Sequence, residues 1–265
     1  MGQMDSLFVK WLRQTKLTAW SDGMEAYAKT HTGKVRTNNE DCYFVSEQGP
    51  KLYVVADGMG GHNAGEIASS VAVDAVKGYI YEELKNIQSK DEIEEVLLGS
   101  IRHANAEVYQ MSKSGENMDG MGTTLTLLLI DEDILYFAHV GDSRAYFLKG
   151  TSIEQITDDH SLVGELLRAG TISEEQARVH PQKNILTNAV GTGLTVKIDV
   201  LHRIVENGII LLCTDGLTTH VSESEIAEII SAEDSLETIC SALVDKANAA
   251  GGQDNITVVA VKVVN

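Results

Sequence analysis

Lys51-Leu-Tyr-Val-Val-Ala-Asp57-Gly58-Met-Gly60-Gly61-His62-Asn63-Ala-Gly65-Glu66 is the stretch from which the rest of the chain is best read. It begins with an apolar run, 52–56, short enough for one buried strand. The run stops on the carboxylate of Asp57 and enters a turn that places Gly58, Gly60, Gly61 and Gly65 within eight residues. Glycine permits positive φ and close approach of the backbone to a ligand. Asp57 followed directly by Gly58 offers a side-chain oxygen and an unobstructed carbonyl, the hard donors that divalent cations prefer. Asp57 is therefore expected to be the hub of a metal site. A strand, a glycine-rich turn and a helix also describe a dinucleotide-binding loop. Here the third glycine of that pattern would fall at Asn63, and Asp57 would repel a pyrophosphate. A tight connection without chemistry is the remaining reading, and it weakens because the same pattern recurs along the chain.

Composition narrows the partners. The 265 residues are 43% hydrophobic and 23% charged, enough for one large domain or two small ones with a sizeable core. Lys plus Arg number 21 against 39 Asp plus Glu, a formal charge of −18. That balance argues against nucleic acid, whose phosphates seek basic faces. It suits a protein that concentrates cations, and equally one that is acidic for solubility. The three cysteines, Cys42, Cys213 and Cys240, form no Cys-x-x-Cys pair, so neither a zinc knuckle nor a disulfide framework is indicated. A reducing, cytoplasmic setting is expected. No apolar run reaches the ~20 residues needed to cross a bilayer, and Lys10 interrupts 7–9 too early for a signal peptide.

Residues 1–22 read as an N-terminal extension in which Leu7, Phe8, Trp11, Leu12 and Leu17 recur near helical spacing. A docking helix, a membrane-surface contact, a partner helix and a frayed terminus all fit that spacing. Strands are expected over 24–30, 42–45 and 52–56, then helices over 66–84 and 92–111. A strongly β block follows, with strands over 123–130, 134–140, 145–148 and 153–156 joined by tight turns, which suggests antiparallel meanders. Over 157–191 the β pattern thins to two helical pieces, 162–169 and 173–178, and an inserted flap beside the site is expected. A strand over 208–213, helices over 223–231 and 235–249, and a closing strand over 256–264 complete the chain.

Three strand ends share one physical form, an apolar run beside an Asp flanked by Gly or Asn: Ala56-Asp57-Gly58, Thr214-Asp215-Gly216 and Gln253-Asp254-Asn255. Gly141-Asp142-Ser143 is a fourth. Asp is common in turns, but four carboxylates gathered at one place would repel one another and require positive charge. Bound Mg²⁺ or Mn²⁺ supplies it.

These residues carry a resemblance. Arg36-x-x-x-Glu40-Asp41, Val55-Ala-Asp57-Gly-Met-Gly-Gly-His62, Gly120-Met-Gly-Thr123-Thr124-Leu, Val140-Gly-Asp142-Ser-Arg144, Thr214-Asp215-Gly216 and Gly252-Gln-Asp254-Asn255 stand in the order seen in metal-dependent protein phosphatases of the 2C type. The Asp-Gly-Met-Gly-Gly-His form resembles the bacterial serine/threonine phosphatase branch. The likeness spans about 24–264. It implies an α+β fold, a four-layer αββα sandwich of two antiparallel sheets flanked by helices, with residues 23–265 forming the catalytic domain and 157–191 its flap. It implies two Mn²⁺ or Mg²⁺ ions, with Asp57 bridging, the Gly58 carbonyl on one ion, Asp215 and Asp254 on the other, and Glu40 completing the shell through water. Asp142 with Asp215 matches a third, weaker site. Arg36 corresponds to a clamp for the substrate phosphate, a bidentate task that suits guanidinium. The implied reaction is hydrolysis of phosphoserine and phosphothreonine by a metal-bridging water, with His62 a candidate general acid or a loop-structuring histidine. Phosphoproteins and a cognate Ser/Thr kinase are the implied partners, and the enzyme is expected to be a monomer.

Other phosphatase chemistries fail on spacing. Cys-x₅-Arg would need Arg at Gln48, Thr219 or Lys246, and Asp131-x-Asp133 ends in Leu135 instead of Thr or Val. The alternatives left open are a silent phosphoprotein-binding regulator of the same fold and a small-molecule phosphoesterase. Two departures from the family pattern concern the flap and the third site: Asn188 stands where relatives often carry Arg, and Thr219 where some carry an acid. Thr123 and Thr124 are expected to support the site by hydrogen bonds rather than react.

Overall fold

The computed structural model describes residues 16–19, 23–61, 64–89, 91–114, 118 and 120–264. Twelve strands and seven helices are described, and the strands form two antiparallel sheets. The first sheet runs β1 (Lys16–Ala19), β2 (Glu25–His31), β12 (Ile256–Val263), β11 (Gly208–Cys213), β8 (Arg144–Lys149), β9 (Ser152–Gln155). The second runs β10 (Asp199–Ile204), β7 (Ile134–Val140), β6 (Leu125–Asp131), β4 (Lys51–Met59), β3 (Asp41–Val45), with the two-residue β5 (Gly122–Thr123) paired to the end of β4.

Period-two alternation assigns every core strand two faces. On β4, Tyr53 and Val55 point between the sheets, whereas Leu52, Val54 and Ala56 point outward under helices. On β6, Leu128 and Ile130 point inward, and Leu125, Leu127 and Leu129 outward. In the other sheet Ile210 and Leu212 of β11 and Val259 and Val261 of β12 meet them from across the sandwich. Both faces are buried, which is why these runs read as nearly continuous apolar stretches rather than clean alternation. Each fully buried Leu or Ile contributes about 1.5–3 kcal/mol over the exposed state. The outward face of the second sheet is covered by α1 (Ala64–Glu83) and α2 (Asp91–Ser114), which pack on each other. The outward face of the first is covered by α5 (Asp215–Thr218), α6 (Glu223–Ala232) and α7 (Leu236–Ala249). Ser222 and Ser235 open α6 and α7 with reciprocal capping boxes. The four-layer αββα order is that expected.

The structure differs from the sequence reading in several places, among them the short helix α5, which begins at Asp215 where only a turn is expected. The strand of the hub does not end at Asp57: β4 continues to Met59, because Gly58 and Met59 pair with Thr123 and Gly122. The 123–130 run is broken at Thr124, whose backbone leaves the ladder to bond Asp57. Strand β10 was not expected. Its exposed edge position interleaves polar residues, although Val196, Ile198 and Val200 alternate against the core under α2 and were a legible signal. Leu17, the last member of the N-terminal helical spacing, lies in β1, where it pairs with Tyr27 of β2; the other members lie outside the described residues. The flap contains α3 (Leu162–Arg168), capped by Ser161, and α4 (Glu174–Arg178), which buries no residue of its own.

Candidate active site

Strand register brings the acidic motifs to one end of the sandwich. Asp57 near the C-terminal end of β4 pairs with Asp41 at the start of β3. Cys213 at the end of β11 pairs with both Arg144, at the start of β8, and Val258, near the start of β12. Asp215 follows that end as the first residue of α5, and Asp254 precedes β12. Asp142 sits in the corner between β7 and β8, and Arg36 and Glu40 in the loop between β2 and β3.

Hydrogen bonds hold these loops together. Asn255 is the central tie: its Oδ1 accepts from the Glu40 backbone N–H at 2.7 Å, and its Nδ2 donates to the Thr32 and Asn38 carbonyls at 2.9 Å each. The Glu40 carbonyl accepts from Gly58 N–H at 3.1 Å and from Ser69 of α1 at 2.6 Å. Gly58 is required by space: a Cβ there would meet the Gly65 and Glu40 carbonyls. Thr124 Oγ1 accepts from Asp57 N–H at 2.9 Å and lies 2.7 Å from Ser143 Oγ, while Thr123 Oγ1 donates to the Asp57 carbonyl at 2.9 Å. Both threonines thus support the hub as expected.

The electrostatics are those of crowded acids. The Asp57 carboxyl is held well above the usual carboxylate range by burial and by Asp41, Asp215, Asp142 and Asp254. Burial, followed by Asp215 and Asp159, raises Asp142 against the pull of Arg144. Asp215 is pushed up to about 6 by burial and Asp254, partly offset by a hydrogen bond with Asp57. Glu40 is raised mainly by burial, with Arg36 opposing. Asp41, which the sequence placed only beside Glu40, proves to be the most enclosed of the set. It is 2% exposed and raised to about 7 by burial, despite hydrogen bonds from Thr257 and Thr214. Thr214 Oγ1 donates to its Oδ2 at 2.9 Å, and its Oδ1 has no hydrogen-bond partner among the described residues. Buried carboxylates that repel, with an unsatisfied oxygen among them, fit a hard cation. Among the described residues no three His, Cys, Asp or Glu side chains are already closed to the spacing of one ion's ligands. The convergence consists of near neighbours, including Asp57 with Asp215, rather than a finished shell.

Arg36 donates from Nη2 to Asp254 Oδ2 at 2.9 Å, with about half of its side chain exposed. A cleft of ≈370 Å³ opens beside Asp142 and Asp215 and is walled by the flap residues Ser161, Leu167, Arg178 and Lys183 and by Thr219 and His220. His62 lies outside the described residues. The three thiols are free and each pushed up to about 12, mainly by burial, which bars a cysteine nucleophile. No helix among the described residues is long and apolar enough to cross a membrane.

Similarity to known proteins agrees with this geometry. A protein phosphatase 2C family model matches residues 28–254. The serine/threonine phosphatase stp of Listeria monocytogenes is 40% identical over 242 residues, covering 90% of this chain and 96% of the relative. The crystal structure of serine/threonine phosphatase Stp1 from Staphylococcus aureus superposes with a TM-score of 0.85 at 35% identity, covering 96% of this chain and 99% of that one. The catalytic domain of the serine/threonine protein phosphatase PstP, solved with two manganese ions, superposes at 0.79 with 32% identity, covering 91% and 99%. With this fold, these motifs at one sandwich end and these relatives, the chain belongs to the metal-dependent protein phosphatase 2C family and is a serine/threonine protein phosphatase.

Proposed function

We propose that the chain hydrolyses phosphoserine and phosphothreonine in proteins through a centre of two Mn²⁺ or Mg²⁺ ions held by Asp57, the Gly58 carbonyl, Asp215 and Asp254, with Glu40 in the surrounding shell. Asp142 with Asp215 would hold a third. The observation that carries the reading is the set of buried, mutually repelling carboxylates at one sandwich end, where burial and then Asp41, Asp215, Asp142 and Asp254 hold Asp57 well above the usual range. Bound divalent cations supply the charge that lets water act as a nucleophile near neutral pH and that offsets the phosphoryl oxygens.

The chain's own residues do the rest. Arg36 is exposed and, among the described residues, is tethered at its tip to Asp254, so its guanidinium can leave that carboxylate for a substrate phosphate and bind two oxygens in a fork. Thr124, Thr123 and Asn255 keep the Asp57 and Glu40 backbones in register, so that their oxygens need not reorganise when charge develops. Asp41, buried behind the hub, pairs with Asp57 across β3 and β4 and accepts a hydrogen bond from Thr214. His62 is assigned to proton delivery to the departing serine or threonine oxygen. We take 23–265 as the catalytic domain, 157–191 as its flap and 1–22 as an extension whose residues 16–19 add β1 to the edge of that domain's first sheet. The enzyme acts in the cytoplasm as a single chain and opposes a Ser/Thr kinase.

The test is hydrolysis of matched phosphothreonine, phosphoserine and phosphotyrosine peptides by chelator-treated protein, with and without added Mn²⁺. Turnover of the first two only, and only with metal, is expected. Equal turnover without metal would reject the metal centre, and preference for phosphotyrosine would reject the substrate class.

A further inference from the structure

Asn188 stands at the inner edge of the flap, half-buried, with its side chain engaged by His160 and the Lys197 backbone. Both hydrogens of its amide are used: Nδ2 donates to His160 Nδ1 at 2.9 Å and to the Lys197 carbonyl at 2.8 Å. Its Oδ1 accepts from Lys197 N–H at 3.2 Å. His160 is buried at 3% exposure, and its Nδ1 also accepts from the Gly141 N–H at 3.2 Å. With two N–H donors facing Nδ1, the ring proton must sit on Nε2. From there it donates to Asp199 Oδ2 at 3.0 Å. The backbone repeats the linkage, since His160 N–H donates to the Gly141 carbonyl at 2.7 Å and Thr187 N–H to the His160 carbonyl at 2.9 Å. One imidazole therefore joins the flap at Asn188, the catalytic corner at Gly141 and the edge strand β10 at Asp199.

The other end of that joint is rigid. Gly141 takes φ +110°, and a Cβ on it would run into Thr124, the residue that holds the Asp57 N–H. On the flap side, five residues before Asn188, Lys183 lines the cleft together with Asp142 and Asp215. No carboxylate among the described residues forms an ion pair with Lys183. Its positive charge is nonetheless felt at Asp215 and at His220 across the cleft.

We propose that Asn188, His160 and Asp199 form a clasp that fixes the flap over the catalytic end, and that what the clasp positions is Lys183, a flap cation that lines the cleft together with Asp142 and Asp215. Lys183 takes an anionic oxygen of the bound phosphopeptide. Asn188, His160 and Asp199 are positioning residues that act through it. The inference rests on the phosphatase reading and adds to it the residues that favour an extended phosphopeptide over a small phosphoester. It also gives the asparagine at 188 a use: its amide bonds the His160 ring and the Lys197 backbone at once.

The test is a steady-state comparison on a phosphothreonine peptide and on p-nitrophenyl phosphate at saturating Mn²⁺. Asn188→Ala is expected to raise KM for the peptide by about 3- to 10-fold, the effect of losing one well-made polar contact. Its kcat on the small ester is expected to stay within about twofold, as for loss of binding made equally in ground and transition states. Lys183→Ala is expected to raise peptide KM by a similar factor. The double variant is expected to be no worse than either single one, because both changes remove the same contact. Asp199→Asn keeps an oxygen for the His160 Nε2–H and is expected to retain the wild-type peptide KM, whereas Asp199→Ala loses it. Equal loss on both substrates, multiplicative effects in the double variant, or an unchanged peptide KM in Asn188→Ala would each overturn the proposal. Loss of metal-dependent turnover on both substrates in the wild type would instead reject the phosphatase reading beneath it.

Discussion

Replacing Asp41 by Asn changes a single buried atom from an acceptor to a donor-bearing nitrogen, and its consequences follow from the structure. In the metal-free protein the Asp41 carboxyl titrates at about 7, against an ordinary 3.8, chiefly because it is buried and secondarily because Asp215 and Asp254 are near. A carboxyl whose folded value is raised binds its proton more tightly folded than unfolded. Stability from this group is therefore greatest at low pH and declines as pH climbs from the unfolded value to the folded one, here from about 4 to about 7. Each unit is worth ~1.4 kcal/mol, so between pH 5 and pH 8 the wild type should lose up to ~3 kcal/mol at this residue, less whatever local relaxation recovers. The Asn variant has no proton to lose there, and its oxygen can still accept from Thr214 Oγ1. Urea unfolding in the presence of a chelator at pH 5 and pH 8 reads the difference. The variant should gain on the wild type by roughly 1–3 kcal/mol across that interval, and saturating Mn²⁺ should shrink the gain by supplying the missing positive charge. A gap between the two proteins that is the same at both pH values would refute the reasoning.

Other outcomes follow from single contacts. Thr124→Val removes the acceptor for the Asp57 N–H and the partner of Ser143 while keeping shape; a loss of about 1–3 kcal/mol in urea unfolding is expected, together with reduced activity. Gly58→Ala would drive a methyl into the carbonyls of Gly65 and Glu40, neither of which can swing aside. Calorimetry should show a lower melting temperature, with a penalty on the order of 1–3 kcal/mol. Arg36→Ala should raise KM on a phosphopeptide by at least about tenfold, and Arg36→Lys should restore little of it, since a point charge does not reproduce the fork. Steady-state kinetics on the same peptide check both.

The legible parts of the chain were those where one residue type has one physical use. Asp57, Asp215 and Asp254 stood out because an acid beside Gly or Asn at a strand end is a poor packing choice and a good ligand. The sandwich was visible because 52–56, 123–130 and 208–213 are too apolar for one-sided strands. The role of Asp41 is not legible in the sequence because it comes from register alone: opposite Asp57 on β3 and under Thr214, it is buried by neighbours that lie 16 and 173 positions away in the chain. Asn255 and His160 were hidden for the same reason, since polar residues that tie loops together carry no periodic signature. The end of β4 was misplaced because glycine suggests a turn, whereas Gly58 is there to let α1 and the Glu40 carbonyl approach a continuing strand. β10 carries only a weak signal, the alternation of Val196, Ile198 and Val200, because an edge strand with one wet face lacks the apolar density of its neighbours.

The central claim is that carboxylates distant in sequence meet to hold divalent cations around Asp57. Calorimetric titration of Mn²⁺ into chelator-stripped wild type and Asp57→Asn, in two buffers of different ionisation enthalpy, with phosphothreonine-peptide turnover followed on the same samples, tests it most directly. The wild type should bind two ions with release of protons from the crowded carboxyls, while Asp57→Asn should stay folded and lose both tight binding and turnover. Full metal-dependent turnover by Asp57→Asn would contradict the account.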